Sequence, residues 1–176
     1  NKAFFEKGQG DLPFFKFSRK YYKTERLSMK KFADTARRLL SIALNLFIVW
    51  AEPIALPMSW DWGKEQMFIF YTEDSNILSA CICAMVAVGQ LVCIFTGREL
   101  PRWLHTLTMT FLTVVFVLGP MYEDGNGWYI MLCTSSMLYH HLLNPLAAIF
   151  SFVLLERTPR LPRSTVKWAL LPTVLY

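Results

Sequence analysis

Apolar positions along this chain come in long unbroken windows, not in the short alternations of a soluble fold. Between Asp74 and Arg98 no residue carries a charge, and the same holds from Arg102 to Glu123 and from Asp124 to Glu156. A helix needs about 20 mostly apolar residues to cross the hydrocarbon core, and each window reaches that length. A fourth window, Leu39 to Trp60, qualifies with one acid, Glu52, inside it. After Pro162 a further apolar run starts, Trp168 to Tyr176. At about 14 Å of helix it is too short to cross by itself, so it is expected to open a fifth span that continues beyond these residues. The predicted fold is an all-α, polytopic transmembrane helix bundle, with four complete spans and the start of a fifth.

Charge gives the expected orientation. Residues 1–38 carry eleven Lys and Arg against four acids. Arg98 and Arg102 follow the second span, and Arg157, Arg160, Arg163 and Lys167 follow the fourth. The loops after the odd spans are net acidic, at Asp61, Lys64 and Glu65 and at Glu123 and Asp124. Alternation of this kind places the N-terminus in the cytoplasm. The expected organisation is a cytoplasmic basic and aromatic juxtamembrane segment over 1–38 and a transmembrane bundle over 39–176, in a multi-pass cell-membrane protein. The basic balance, a net charge of +5 and a pI near 9.1, is sorted by membrane side, which argues against nucleic acid as a partner. No cleavable signal peptide is expected, since the first apolar run comes after a long charged lead.

Local chemistry adds finer features. Phe4, Phe5, Phe14, Phe15, Phe17, Tyr21 and Tyr22 alternate with Lys16, Arg19, Lys20 and Lys23, a composition suited to membrane lipids at the inner leaflet. Gly8, Gly10 and Pro13 interrupt that stretch, and Ser28 is the expected N-cap of a helix entering the first span. Pro53 and Pro57 mark the outer end of that span, beside Trp60 and Trp62 of an outer aromatic belt. The turn 125–128 (Gly-Asn-Gly-Trp) leads to span four. All four cysteines, Cys81, Cys83, Cys93 and Cys133, fall inside spans and are expected to be buried small hydrophobes. Cys81 and Cys83 should point to different faces.

Polar side chains inside the spans are costly in lipid and so face protein. On span two, Thr72, Asn76, Ser79, Cys83 and Gln90 recur at helical spacing, with Glu73, Asp74 and Ser75 at the outer end. Span four carries a matching stripe of Cys133, Ser136, His140 and Asn144. Pro145 cannot donate to the carbonyl of His141, which leaves an acceptor free beside the two imidazoles. Thr106, Thr110 and Thr113 on span three read as helix-packing residues, and His105, next to Arg102, as an interfacial anchor.

The segment Tyr71-Thr72-Glu73-Asp74-Ser75-Asn76 and the segment from His140-His141 to Asn144-Pro145 together resemble the androgen-induced family of intramembrane threonine hydrolases and related small bacterial membrane proteins. The resemblance rests on these two motifs and the order of the spans. It implies a hydrolase or acyltransferase acting on a lipid-like acyl ester, with Thr72 as nucleophile and His140 or His141 as base. Asp74, Ser75 or Asn76 would orient the base or support an oxyanion. The chain departs from the family in lacking an acid soon after Pro145, where Glu156 is the first, and in its Glu73-Asp74 pair.

If the inner ends of the spans are level, Thr72 lies about 39 Å above Arg98 and His140 about 24 Å above Glu156. Ser79 then matches the depth of His140 better and is a reserve nucleophile. No cofactor and no resident metal is read from the motifs. Two other classes remain open. One is a metal site of Glu52, Glu73, Asp74 and His140 or His141, since carboxylate and imidazole together suit zinc, manganese or iron. The other is a non-enzymatic subunit or transporter component that works with other membrane subunits.

Overall fold

The structure, a computed structural model, describes residues 13–69, 71–104, 107–108, 133–155, 163–165, 167–168 and 171; for residues 13–20, 23, 71, 72 and 155 it describes the backbone alone. Most of span three lies outside these residues, and with it His105, Thr106, Thr110, Thr113, Glu123, Asp124 and the turn at 125–128. So do residues 1–12, Glu156 and most of the run after Trp168.

The described residues are helical, with no strand among them. Helix α1 runs Pro13–Gly63, a short 3₁₀ turn covers Lys64–Ile69, and α2 spans Tyr71–Thr96. The C-terminal run consists of α3, Ser135–Leu138, a π-helical segment, Tyr139–Leu143, and α4, Asn144–Leu155. Three helical stretches are long and apolar enough to cross a membrane: Thr24–Ile69, Glu73–Thr96 and Ser135–Leu154.

Local chemistry explains the boundaries. Pro13 opens α1, a position where its missing N–H costs nothing. From there to Pro53 the sequence holds no Gly or Pro, so the helix passes through Ser28, which is not the cap expected of it. Pro53 and Pro57 also lie inside α1. The helix ends at Gly63, where Lys64 turns to φ +50°, a left-handed conformation that ends regular helix. In the C-terminal run Pro145 removes one backbone donor, and the backbone widens just before it. There the N–H of Asn144 reaches the carbonyl of Tyr139, five residues back.

The chain divides into two compact units, Asn1–Ala36 and Arg37–Tyr176. In the first, Tyr21, Tyr22, Met29 and Phe32 are all exposed. In the second, the buried face of α1 reads Ser41, Asn45, Ile48, Glu52, Ala55 and Ser59. These alternate at spacings of four and three, the 3.5-residue repeat of close left-handed helix packing. Contacts along that face define direction. Arg37 Nη1 donates to the Leu154 carbonyl at 2.6 Å, Ser41 and Ser151 hydroxyls meet at 3.0 Å, and Glu52 meets His140. As the α1 number rises the partner number falls, so the C-terminal run is antiparallel to α1. Arg38 donates to Gln90 at 2.9 Å and Ser59 to Glu73 at 2.8 Å, so α2 is antiparallel to α1 too. The C-terminal run and α2 are therefore parallel to each other.

Unit two is apolar outside and polar within. Val88, Phe95, Phe150 and Val153 are exposed, at 59% or more, while Ser41, Asn45, Ser79, Gln90, Asn144 and Ser151 are buried. Between the polar groups at its two ends lies an apolar layer of Ile48, Cys83, Val86, Ala147 and Ala148. Of the cysteines, Cys83 and Cys93 are buried, whereas Cys81 and Cys133 are exposed. The expectation of four buried thiols fails for those two. Cys133 accordingly does not share the inner stripe of Ser136, His140 and Asn144.

Gly89 marks a close approach. A Cβ there would lie 2.8 Å from Leu100 Cδ2 and 3.2 Å from Leu104 Cδ2. Both atoms are the free ends of leucine side chains, which can turn aside. Gly89→Ala should therefore change stability by about 1 kcal/mol or less, the helix-propensity gain of about 0.5–1 kcal/mol offsetting the crowding. In thermal unfolding of purified protein, the effect should be non-additive with Leu100→Ala, because the two sites touch.

Candidate functional site

Helical spacing brings three ionisable groups from three helices to one place. Glu52 lies on the buried face of α1, Glu73 in the first turn of α2 and His140 in the π segment. The His140 side chain is fully enclosed, and those of Glu52 and Glu73 are only 7% and 6% exposed. The imidazole stands between the carboxylates. Its Nε2 is 3.5 Å from Glu52 Oε2, and its Nδ1 is 3.3 Å from Glu73 Oε2. These are ion-pair distances without hydrogen-bond alignment. Ser59, one turn beyond Ala55 on α1, donates its hydroxyl to Glu73 Oε1 at 2.8 Å. One turn further in, Asn144 Nδ2 donates to Asn76 Oδ1 at 3.4 Å.

The π segment is the local reason His140 reaches this position. A π turn inserts one residue into the helical repeat and rotates the residues after it, and such widenings recur at functional sites. It lets Ser136, His140 and Asn144 all be buried, although a strict α-helix would carry that four-residue spacing slowly around its surface.

The residues singled out by sequence do not all meet. His140 and Asn76 belong to the buried cluster. Ser75 is buried, and its carbonyl accepts the Ser79 hydroxyl. His141 is half-buried at the next position of the π segment, and Asp74 is exposed. Thr72 lies in the first turn of α2, one residue before Glu73, and its side chain falls outside the described residues. Ser79 lies a turn and a half inward of Glu73, not level with His140. The depth comparison assumed that Arg98 and Glu156 share one level. In the structure Gln90, not Arg98, stands level with Arg38, and Leu154 with Arg37, so α2, which runs to Thr96, continues past the level of Leu154.

Two members of the cluster carried less weight in the sequence than they do here. Glu52 was grouped with Glu73 and His140 only in the metal-site alternative and left out of the hydrolase reading, and Ser59 was not singled out. Their signal was the 3.5-residue repeat on α1, which places both on the face that also carries Ser41 and Asn45.

Among the described residues, no group of three or more His, Cys, Asp or Glu side chains is arranged to hold a metal ion. The imidazole separates the carboxylates and turns a different nitrogen to each, and Asp74 is on the exposed side.

The arrangement depends on charge balance, which the one imidazole and two carboxyls reach only with a proton on at least one carboxyl. Removing one partner from a buried ion pair leaves an uncompensated charge, at about 3–5 kcal/mol. His140→Leu should lower stability by about that amount, and adding Glu52→Gln and Glu73→Gln to it should recover part of the loss. Thermal unfolding of the three proteins in one detergent measures both effects. Comparison with known protein families, with curated proteins and with solved structures finds no match to this chain.

Proposed function

We propose that this is a multi-pass membrane protein that crosses the bilayer four times, with residues 1–38 cytoplasmic and a fifth span beginning after Pro162. The alternating charge of the loops supports the orientation. The parallel relation of α2 and the C-terminal run supports the span count. Two parallel spans need an intervening crossing, and residues 103–122 have the length and composition for it. Single-cysteine variants in a cysteine-free background test this by labelling. A cysteine at 124 should react with impermeant reagent from outside and one at 26 only after permeabilisation; the reverse result overturns the orientation.

Within that architecture we propose an intramembrane hydrolase or acyltransferase acting on a lipid-like acyl ester. The observation that carries this reading is convergence. The two motifs of the family resemblance, more than sixty residues apart in sequence, meet at Glu73–His140 and at Asn76–Asn144. Thr72 is the nucleophile, placed one residue from Glu73. A threonine hydroxyl becomes nucleophilic when a neighbouring base takes its proton, and the Glu73–His140 pair is that base. As Thr72 Oγ adds to the ester carbonyl, its proton passes to the pair, which returns it to the leaving alcohol. Water or a second alcohol then releases the acyl group by the reverse transfer. The first N–H groups of a helix lack intrahelical acceptors, so the first turn of α2 also suits a developing oxyanion. The apolar outer surface of the bundle suits acyl chains arriving from the lipid.

A second reading, a non-enzymatic subunit partnered by other membrane chains, is favoured by one feature. Both nitrogens of His140 already face carboxylates, as a purely structural ion-pair network would have them. Labelling with a long-chain fluorophosphonate separates the two. The wild-type protein should be labelled at Thr72. His140→Ala should slow that labelling by about 10²–10⁴-fold, Thr72→Ala should abolish it, and the double variant should be scarcely worse than Thr72→Ala. Absence of any adduct on folded wild-type protein leaves the structural reading.

A further inference from the structure

His140 is held from two sides, and the two holders differ in what else they touch. Glu73 Oε1 accepts the Ser59 hydroxyl at 2.8 Å. Neither oxygen of Glu52 receives a hydrogen bond from the described residues. Its neighbours on the buried face of α1 are Ile48, Ala51 and Ala55, each 0% exposed. A carboxylate in such an apolar wall is costly unless a donor faces it. The group in that place is Nε2 of His140, at 3.5 Å.

We infer that Glu52 is a positioning residue, which keeps a proton on Nε2 of His140 and so turns the Nδ1 edge toward Glu73 and the first turn of α2. In a neutral imidazole one nitrogen carries the proton, and the partner of that nitrogen decides which one it is. Among the described residues Glu52 has no other donor, whereas Glu73 has Ser59, so Glu52 has the stronger claim on the ring proton even though Nδ1 is the nitrogen nearer its carboxylate. Nδ1 is thereby left as the nitrogen that exchanges a proton with Glu73. The first span thus completes a site whose sequence motifs lie on the second and fourth. A buried carboxylate that orients a catalytic imidazole in this way also stabilises the imidazolium formed during reaction. The catalytic use of the Nδ1 edge rests on the hydrolase reading above; the placement of the proton does not.

Nitrogen-15 NMR of histidine-labelled full chain in lipid nanodiscs tests this. In the wild-type protein, Nε2 of His140 should carry a directly bonded proton protected from solvent exchange. Glu52→Ala should lose that proton signal, and Glu52→Gln, whose amide oxygen can still accept, should regain it. Fluorophosphonate labelling at Thr72 should fall by about 10²-fold or more in Glu52→Ala and recover in part in Glu52→Gln. A general structural role would lower thermal stability in both variants and leave the nitrogen that holds the proton unchanged. An unprotonated Nε2 in the wild type overturns the inference, and this remains decisive if Glu52→Ala fails to fold. An Nε2 proton that persists unchanged in folded Glu52→Ala overturns it as well. The expected NMR pattern without any labelling of the wild type leaves Glu52 in its positioning role and removes the hydrolase reading instead.

Discussion

An imidazole and two carboxyl groups shut away from water must share protons so that little net charge remains, which takes a proton on at least one carboxyl. The arrangement of this bundle depends on that. The effective penalty for taking an ion out of water is several kcal/mol. Here it is met only if Glu52, Glu73 and His140 arrive together from three helices. Sliding any one helix by a turn, about 5.4 Å, would pull its member away and leave the others uncompensated. The cluster therefore fixes the vertical register of α1, α2 and the C-terminal run. The π segment before Pro145 fits the same constraint, because it brings His140 inward while Ser136 and Asn144 stay buried.

Polar contacts hold the other end of the bundle as well. In lipid, apolar surfaces gain little by meeting each other, so packing and interhelical hydrogen bonds do more of the work of association. Arg37 on the Leu154 carbonyl, Arg38 on Gln90, and the knot of Ser41, Asn45 and Ser151, where Asn45 donates to Ser151 Oγ at 2.6 Å, tie α1 to both neighbours. An apolar layer around Ile48 and Val86 separates this inner cluster from the outer one. The two ends differ in chemistry. The inner contacts are well-formed hydrogen bonds between groups whose partners are plain, as a lock requires. The outer cluster keeps ionisable groups at ion-pair distance without hydrogen-bond alignment, so the groups must draw closer before a proton passes between them.

Helices, their apolar exterior and the inward-facing stripes were legible in the sequence, because windows without charge and polar residues at helical spacing are properties of the chain itself. Asn76, Ser79, Cys83 and Gln90 are all buried on α2, as their spacing implied. What could not be read was relative depth, since that depends on which residues pair across helices. Gln90 pairs with Arg38 and Leu154 with Arg37, so Arg98 and Glu156 do not mark a common level, and the assumption that they do placed Ser79, not Glu73, beside His140. Glu52 was grouped with Glu73 and His140 in the metal-site alternative, but its burial was hard to read for a related reason. One acid in an apolar window looks the same whether it faces water at the interface or an imidazole in the core. The start of α1 was missed because Ser28 has capping chemistry, while an uninterrupted run of helix formers outweighs it.

The central claim is that the first turn of α2 and the π segment of the C-terminal run form one buried site, and thiol cross-linking in native membranes tests it most directly. With the four native cysteines replaced, Asn76→Cys combined with Asn144→Cys should be bridged by a short bifunctional methanethiosulfonate. Its spacer supplies the reach that two asparagine side chains touching at 3.4 Å have and a direct disulfide lacks. Leu78→Cys combined with Leu146→Cys, two positions that are 48% and 43% exposed on the outer surface, should stay unbridged. Bridging of 78 and 146 while 76 and 144 stay unbridged would contradict the account.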